Sequence, residues 1–206
     1  SPLIASPLPP QDFLGLLNAV ATSGPDASSP NPITQFLASY PDAKTFVETP
    51  KPAPVSFATQ PFYGVNAFKF TNKEGEVRYG RYQIIPLNGP EYFTDEQRAA
   101  AGKDYLFEEL PKRLQQSKVE FTLGLQIADK GDVLNDPTIV WPETRQIIKL
   151  GTISLDTVDP NGEQFAKQTM FNPLALTEGI EASDDPILLA RPSAYAISFG
   201  RRISGQ

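Results

Sequence analysis

Apolar residues recur at helical spacing through the first part of the chain, in three short runs separated by prolines. Phe13, Leu14, Leu16, Leu17 and Val20 follow Pro10-Gln11-Asp12 and predict a helix ending near Gly24-Pro25. Pro32 opens a second, carrying Ile33, Phe36, Leu37 and Tyr40 and halted by Pro41. Asp42 is placed to cap a third turn with Phe46 and Val47, before Pro50, Pro52 and Pro54 force extended chain. These runs predict a helical arm over residues 1–54.

From Val55 the period changes from helical to two. Gly64 to Thr71 alternates apolar and polar residues, Asn72-Lys73-Glu74-Gly75 reads as a turn, and Val77 to Ile84 alternates again, which predicts a β-hairpin. Thr94 to Gln116 is predicted helical. Thr94 and Gln97 have capping-box spacing, and Tyr105, Leu106, Leu110 and Leu114 share a face despite Pro111. Val119 to Ile127 alternates strictly. Arg145 to Val158 gives a further strand, with Ile147, Leu150, Ile153 and Leu155 as expected core residues. After Pro160 the pattern is irregular until Asp185-Pro186 opens a last helix through about Ile203. Residues 55–206 thus read as antiparallel strand pairs with a helical crossover. Four strands cannot close a barrel, which needs about eight, so another layer, chain or segment must complete the sheet.

The composition narrows the chemistry. A net charge of −6 argues against electrostatic capture of nucleic acid, and an anionic ligand would need a local basic cluster. No apolar run reaches the roughly 18–20 residues of a membrane span. There is no Cys and no His. Disulfides, thiolate catalysis, a Ser-His triad and the commonest axial ligand of haem are therefore excluded within this sequence. Glu108-Glu109 reads as a solvated helix face, Asp156, Asp159, Asp184 and Asp185 lack calcium-loop spacing, and Trp141 reads as a core or interface anchor. Gly162 and Gly179 read as isolated turn glycines.

Four blocks share one likeness. Asp185 to Arg202 contains Arg191-x-x-x-Tyr195 with basic residues about two turns on. Phe171-Asn172-Pro173 precedes Gly179-Ile180-Glu181-Ala182-Ser183-Asp184-Asp185. Asp136-Pro137-Thr138-Ile139-Val140-Trp141-Pro142 and Tyr63 to Asn72 come earlier in the same order. Together they resemble the haem catalases, and most of all the small catalase-related peroxidases, over residues 55–206.

The resemblance implies an α+β fold: half of a catalase-type antiparallel β-barrel with flanking helices and a C-terminal helix carrying the proximal tyrosine. It implies ferric haem b, held non-covalently by Tyr195 as the iron ligand, with Arg191 tuning that ligand and Arg202 pairing with a haem propionate; Arg201 is the less aligned alternative. The residue types suit these roles. Positions i and i+4 share a helix face, and a phenol ligates well near neutrality only where a cation and a ferric ion both favour the phenolate. Arg202 lies seven residues beyond Tyr195, roughly 10 Å along the axis. Pro192 stands where the family has an apolar residue, and is expected to mark the first turn of the proximal helix.

The implied activity is peroxidase or catalase-like, with hydrogen peroxide or organic peroxides as substrate and a small-molecule reductant. Two other readings remain open: a haem protein without turnover, and a haem-free small-molecule-binding barrel. The family's distal His has no counterpart here. The expectation is therefore that an N-terminal companion polypeptide, or the other half of a precursor, completes the barrel and brings that histidine. A homo-oligomer, and a soluble protein of the periplasm or extracellular space, fit the same reading.

Overall fold

The computed structural model describes residues 10–23 and 30–205; Gly24, Pro25 and the side chain of Asp42 lie outside the described residues. The chain divides into two units, Ser1–Lys51 with Pro137–Val140, and Pro52–Asp136 with Trp141–Gln206.

In the first unit, α1 (Pro10–Thr22), α2 (Pro32–Ser39) and α3 (Pro41–Glu48) follow one another. Asn31 caps α2. Its Oδ1 accepts the Thr34 N–H at 3.0 Å while the Asn31 N–H donates to Thr34 Oγ1 at 2.9 Å, a reciprocal box that satisfies free donors of the first turn. Leu16 and Ala43 are buried against Phe36, Leu37 and Tyr40, and the Tyr40 hydroxyl donates to Asp12 at 3.2 Å. The cap position of α3 is Tyr40, without a side-chain bond.

The second unit is built on an antiparallel sheet. Its strands are β1 (Phe62–Tyr63), β2 (Phe68–Thr71), β3 (Val77–Pro86), β4 (Val119–Ile127), β5 (Ile147–Leu155) and β6 (Ile180–Ala182), in the order β5-β4-β3-β2-β6, with β1 also pairing β3. The predicted hairpin is β2–β3, its first strand beginning at Phe68 rather than Gly64, with the Asn72–Gly75 turn locked by Asn72 Oδ1, which accepts the N–H groups of Glu74 and Glu76. The sheet has six strands among the described residues, against four expected. The two additions, β1 and β6, are two and three residues long, too short to generate a recognisable period.

Opposed residues share a face, so the registers sort the side chains. Phe68, Tyr82, Ile84, Phe121, Leu123 and Leu125 lie on one face, with Phe68 and Tyr82 ring centroids 5.7 Å apart. Over part of this face Ala58, Leu110 and Leu114 pack on Val119, Phe121, Ile153 and Leu155. Lys69, Tyr79, Arg81, Gln83, Gln126 and Glu181 lie on the other. That face is polar yet buried at Arg81, Gln83 and Gln126, because the β4–β5 connection folds over it. The Arg81 guanidinium sits 4.2 Å from the Trp141 ring centroid, and Trp141 Nε1 donates to the Val133 carbonyl at 2.9 Å. Burial pushes the Arg81 pKa down, against the raising influence of Asp185, Asp132 and Asp136.

Three sequence expectations need correction. Residues 94–116 form two helices, α4 (Asp95–Ala100) and α5 (Tyr105–Leu114); Ala101 is extended, and Gly102 follows it before α5 restarts. The capping box of Thr94 and Gln97 is present. Ile147 and Leu150 are half exposed rather than core. The register slips so that Leu123 faces Gly151 while Gly124 faces Lys149. Leu150 is thus the unpaired bulge residue, and Ile147 falls on the polar face beyond it. The stretch after Pro160 is not wholly irregular, since α6 (Gly162–Gln168) and β6 lie within it. The last helix, α7 (Pro186–Ser204), runs as expected and ends at Gly205 with φ +71°.

Candidate functional site

β2 and β6 pair as Phe68↔Ala182, Lys69↔Glu181 and Phe70↔Ile180. The pairing continues loosely past the strand ends, where the Ser183 N–H donates to the Ala67 carbonyl at 3.4 Å. Asn66, just before β2, therefore lies beside Asp185, just after β6. Gly179 makes the turn into β6 at φ +81°, and a Cβ there would stand 2.9 Å from the Thr71 carbonyl oxygen. Only glycine satisfies both conditions.

Asp185 does two jobs. Oδ1 accepts the N–H groups of Ile187 and Leu188 at 2.8 and 3.3 Å, capping α7. Oδ2 accepts from Asn66 Nδ2 at 2.6 Å. Asn66 Oδ1 then accepts from Arg191 NH1 at 2.8 Å, and Arg191 donates from Nε and NH2 to the Tyr195 hydroxyl oxygen at 3.1 and 2.5 Å. Asn66 and Asp185 are buried while Arg191 and Tyr195 are half-buried, so the chain of bonds runs from the interior towards accessible surface. Charge-assisted bonds of this kind are short and strong.

The helix supplies the alignment. Leu188, Arg191, Tyr195, Phe199 and Arg202 fall on one stripe of α7, and Leu189, Ile197 and Ile203 on an exposed one. Pro192 sits inside α7, a turn and a half from its start, so it does not mark the first turn as expected; Pro186 does. A proline at 192 removes the N–H that would bond the Leu188 carbonyl. It leaves the Arg191–Tyr195 contact intact.

Arg202 is exposed and donates from NH1 to Ser198 Oγ and from NH2 to the Thr169 carbonyl, both at 2.9 Å. The second bond ties α7 to the segment after α6; there Phe171 packs edge to face on Phe165 of α6 at 6.4 Å, both residues being more than half exposed. Arg201 is exposed on the last turn of α7. Glu108 and Glu109 pair with Lys112 and Arg113 along α5, as a solvated helix face does. Among the described residues no group of His, Cys, Asp and Glu is arranged to hold a metal ion, and no helix is long and apolar enough to cross a membrane.

Sequence reading singled out Tyr195, Arg191 and Arg202 and gave no role to Asn66 or Asp185. Asp185 had a legible signal, an N-cap residue before a first-turn proline. Asn66 had none, since its partner is far away in sequence.

A sequence model of the catalase family matches residues 27–206. A catalase-related peroxidase of Synechococcus elongatus is 32% identical over 95% of this chain and 57% of its own length. One from Mycolicibacterium paratuberculosis is 32% identical over 94% of this chain and 61% of its own length. The chain therefore spans about three fifths of the relatives it matches. In fold it is similar to a fungal catalase (TM-score 0.77, 21% identity, 98% of this chain and 44% of that one) and to catalase A of Saccharomyces cerevisiae (TM-score 0.77, 23% identity, 98% and 45%). The open mixed structure described above is accordingly a half-barrel of the catalase fold.

Proposed function

The chain belongs to the catalase family, and we propose that it forms the proximal-haem portion of a catalase-like peroxidase acting on hydrogen peroxide or organic peroxides. Tyr195 is the proposed ligand of a ferric haem b iron. The observation that carries this reading is the pair of Arg191 N–H groups on one phenol oxygen. A cation donating two hydrogen bonds to an oxygen stabilises negative charge there, and an anionic oxygen suits a ferric centre. The donor set fits the group.

Each residue of the relay has a separate task in this reading. Asp185 fixes which end of the Asn66 amide faces Arg191, since a carboxylate accepts only from the NH2 end. Asn66 then holds the guanidinium plane so that Nε and NH2 both reach Tyr195. Arg202 has guanidinium N–H groups beyond the two that donate to Ser198 and Thr169, and would offer them to a propionate. The exposed rings of Phe165 and Phe171 would supply apolar cover. When bound, haem supplies a redox-active iron able to accept electrons from a small-molecule reductant and pass them to peroxide.

The distal acid–base group is proposed to come from polypeptide outside these 206 residues, an N-terminal companion or precursor half. Three observations support this. The sequence has no His; β5 and β6 each pair on one side only among the described residues; and the matched relatives are longer. The missing histidine also favours a second reading, a haem protein without peroxide turnover.

The test is reconstitution of the protein and its Tyr195→Phe variant with haem. The parent should bind haem with a ferric phenolate spectrum, and the variant should lose haem or change spectrum grossly. Equal haem content and identical spectra would overturn the ligand assignment. Peroxide consumption by the loaded parent separates the peroxidase from the second reading.

A further inference from the structure

A cavity of about 620 Å³ lies at the other end of the sheet, where β3 begins and the β4–β5 connection leaves β4. It is lined by three cations, Arg78, Lys130 and Arg145, and by two carboxylates, Asp129 and Asp132. The carboxylates are not equivalent. Asp132 is nearly closed from solvent and accepts from Arg145 Nε and NH2, both at 2.8 Å, and from the Asp129 N–H at 2.7 Å. Asp129 is largely exposed, accepts the Lys130 N–H at Oδ1 at 2.7 Å and lies 3.7 Å from Arg145 NH1 through Oδ2. Asp132 is thus committed to holding Arg145 in place, while Asp129 is a loose counter-charge.

Arg78 and Lys130 are a different matter. Both side chains are exposed, and among the described residues neither makes an ion pair or a side-chain hydrogen bond. The chain has 24 acidic and 18 basic residues, so two cations without an ion-pair partner lining one cavity stand out against the general charge, with Asp129 reaching Lys130 only at its backbone N–H. The wall itself is preformed. Gly131 turns at φ +94°, Trp141 Nε1 pins the Val133 carbonyl, and Gln126 Nε2 donates to the Pro142 carbonyl at 3.2 Å. Thr144, also lining the cavity, adds a hydroxyl.

We infer that this cavity binds a small phosphorylated organic molecule, its phosphate between Arg78 and Lys130 and its organic part against Ile127 and Leu134. A guanidinium matches phosphate bidentately, and an ammonium adds a point charge without demanding direction. The volume exceeds what a bare phosphate fills and falls within the usual range for small-molecule sites, roughly 300–1,000 Å³. The relay of Tyr195 shares none of the lining residues, so this proposal stands or falls independently of haem.

The test is isothermal titration of the purified protein with inorganic pyrophosphate and with adenosine 5′-monophosphate, at low and at physiological salt. Saturable binding is expected, with the nucleotide tighter than pyrophosphate if the apolar wall contributes. Arg78→Ala and Lys130→Ala should each weaken it about tenfold, and Asp129→Asn should strengthen it about threefold by removing the loose counter-charge. All three positions are exposed, and unchanged circular dichroism will confirm that the variants fold. Absence of saturable binding with both probes would overturn the inference. So would affinities that the Arg78 and Lys130 substitutions leave unchanged.

Discussion

Asn66 and Asp185 are 119 residues apart in sequence and 2.6 Å apart through Nδ2 and Oδ2. Both are buried, and the amide is oriented at each end, by a carboxylate on one side and a guanidinium on the other. Asn66→Leu keeps approximate volume and removes both bonds, leaving an Asp185 oxygen and an Arg191 N–H without these partners. An unsatisfied buried group costs about 1–3 kcal/mol, and of the two only Asp185 is fully buried, so the variant should lose about 1–3 kcal/mol in denaturant titration. A loss below about 0.5 kcal/mol would show that the relay contributes no more than an ordinary surface contact.

Arg191→Ala and Arg202→Ala should part company in haem-loaded protein. The first removes both hydrogen bonds to the Tyr195 oxygen and should shift the absorption spectrum. The second should raise the haem dissociation rate while leaving the spectrum near that of the parent. An exchange of the two effects would mean that the roles along α7 are reversed.

Acid should act through Asp132. Hydrogen bonds from Arg145, the leading cause, hold its carboxyl below the usual carboxylate range. A carboxyl depressed on folding contributes stability that is present above its unfolded value, about 3.9, and is lost as pH falls through the lower folded value. Asp132→Asn should therefore reduce stability at neutral pH by about 1–3 kcal/mol and flatten its decline on the acid side. A variant with the parent's acid slope would remove Asp132 from the account.

Gly179→Ala combines a positive φ with a contact at 2.9 Å from a backbone oxygen, whereas Gly75 has a similar φ of +82° and open space. The φ cost alone is roughly 1–2 kcal/mol, so Gly75→Ala should lose about that much. Gly179→Ala should lose more, and should loosen the β2–β6 pairing that brings Asn66 to Asp185. Equal losses at the two positions would show that the turn relaxes freely.

What the sequence disclosed followed the range of the interactions. The β2–β3 hairpin was legible because its period, its turn residues and the Asn72 bonds all lie within a few positions of one another. Arg191 and Tyr195 were legible because a helix places i and i+4 together. The catalase likeness carried the half-barrel, which local pattern alone left as strand pairs of unknown partner. Leu150 was misplaced because a bulge is set by the neighbouring strand's register rather than by the residue itself. Asn66 was missed for a related reason: its role depends on β6, three residues long and bounded by a glycine turn.

Asp185 holds the first amides of α7 with one oxygen and the root of the Tyr195 relay with the other. Helix fraying and site assembly are therefore a single equilibrium viewed from two ends. Whatever favours the ordered relay must, by reciprocity, slow deuterium uptake at Ile187 and Leu188, although both amides sit two turns of helix away from the phenol. Conversely, a cap-weakening substitution would register as a loosened Arg191–Tyr195 contact. The amino end of α7 is thus a remote gauge of how completely the relay is assembled.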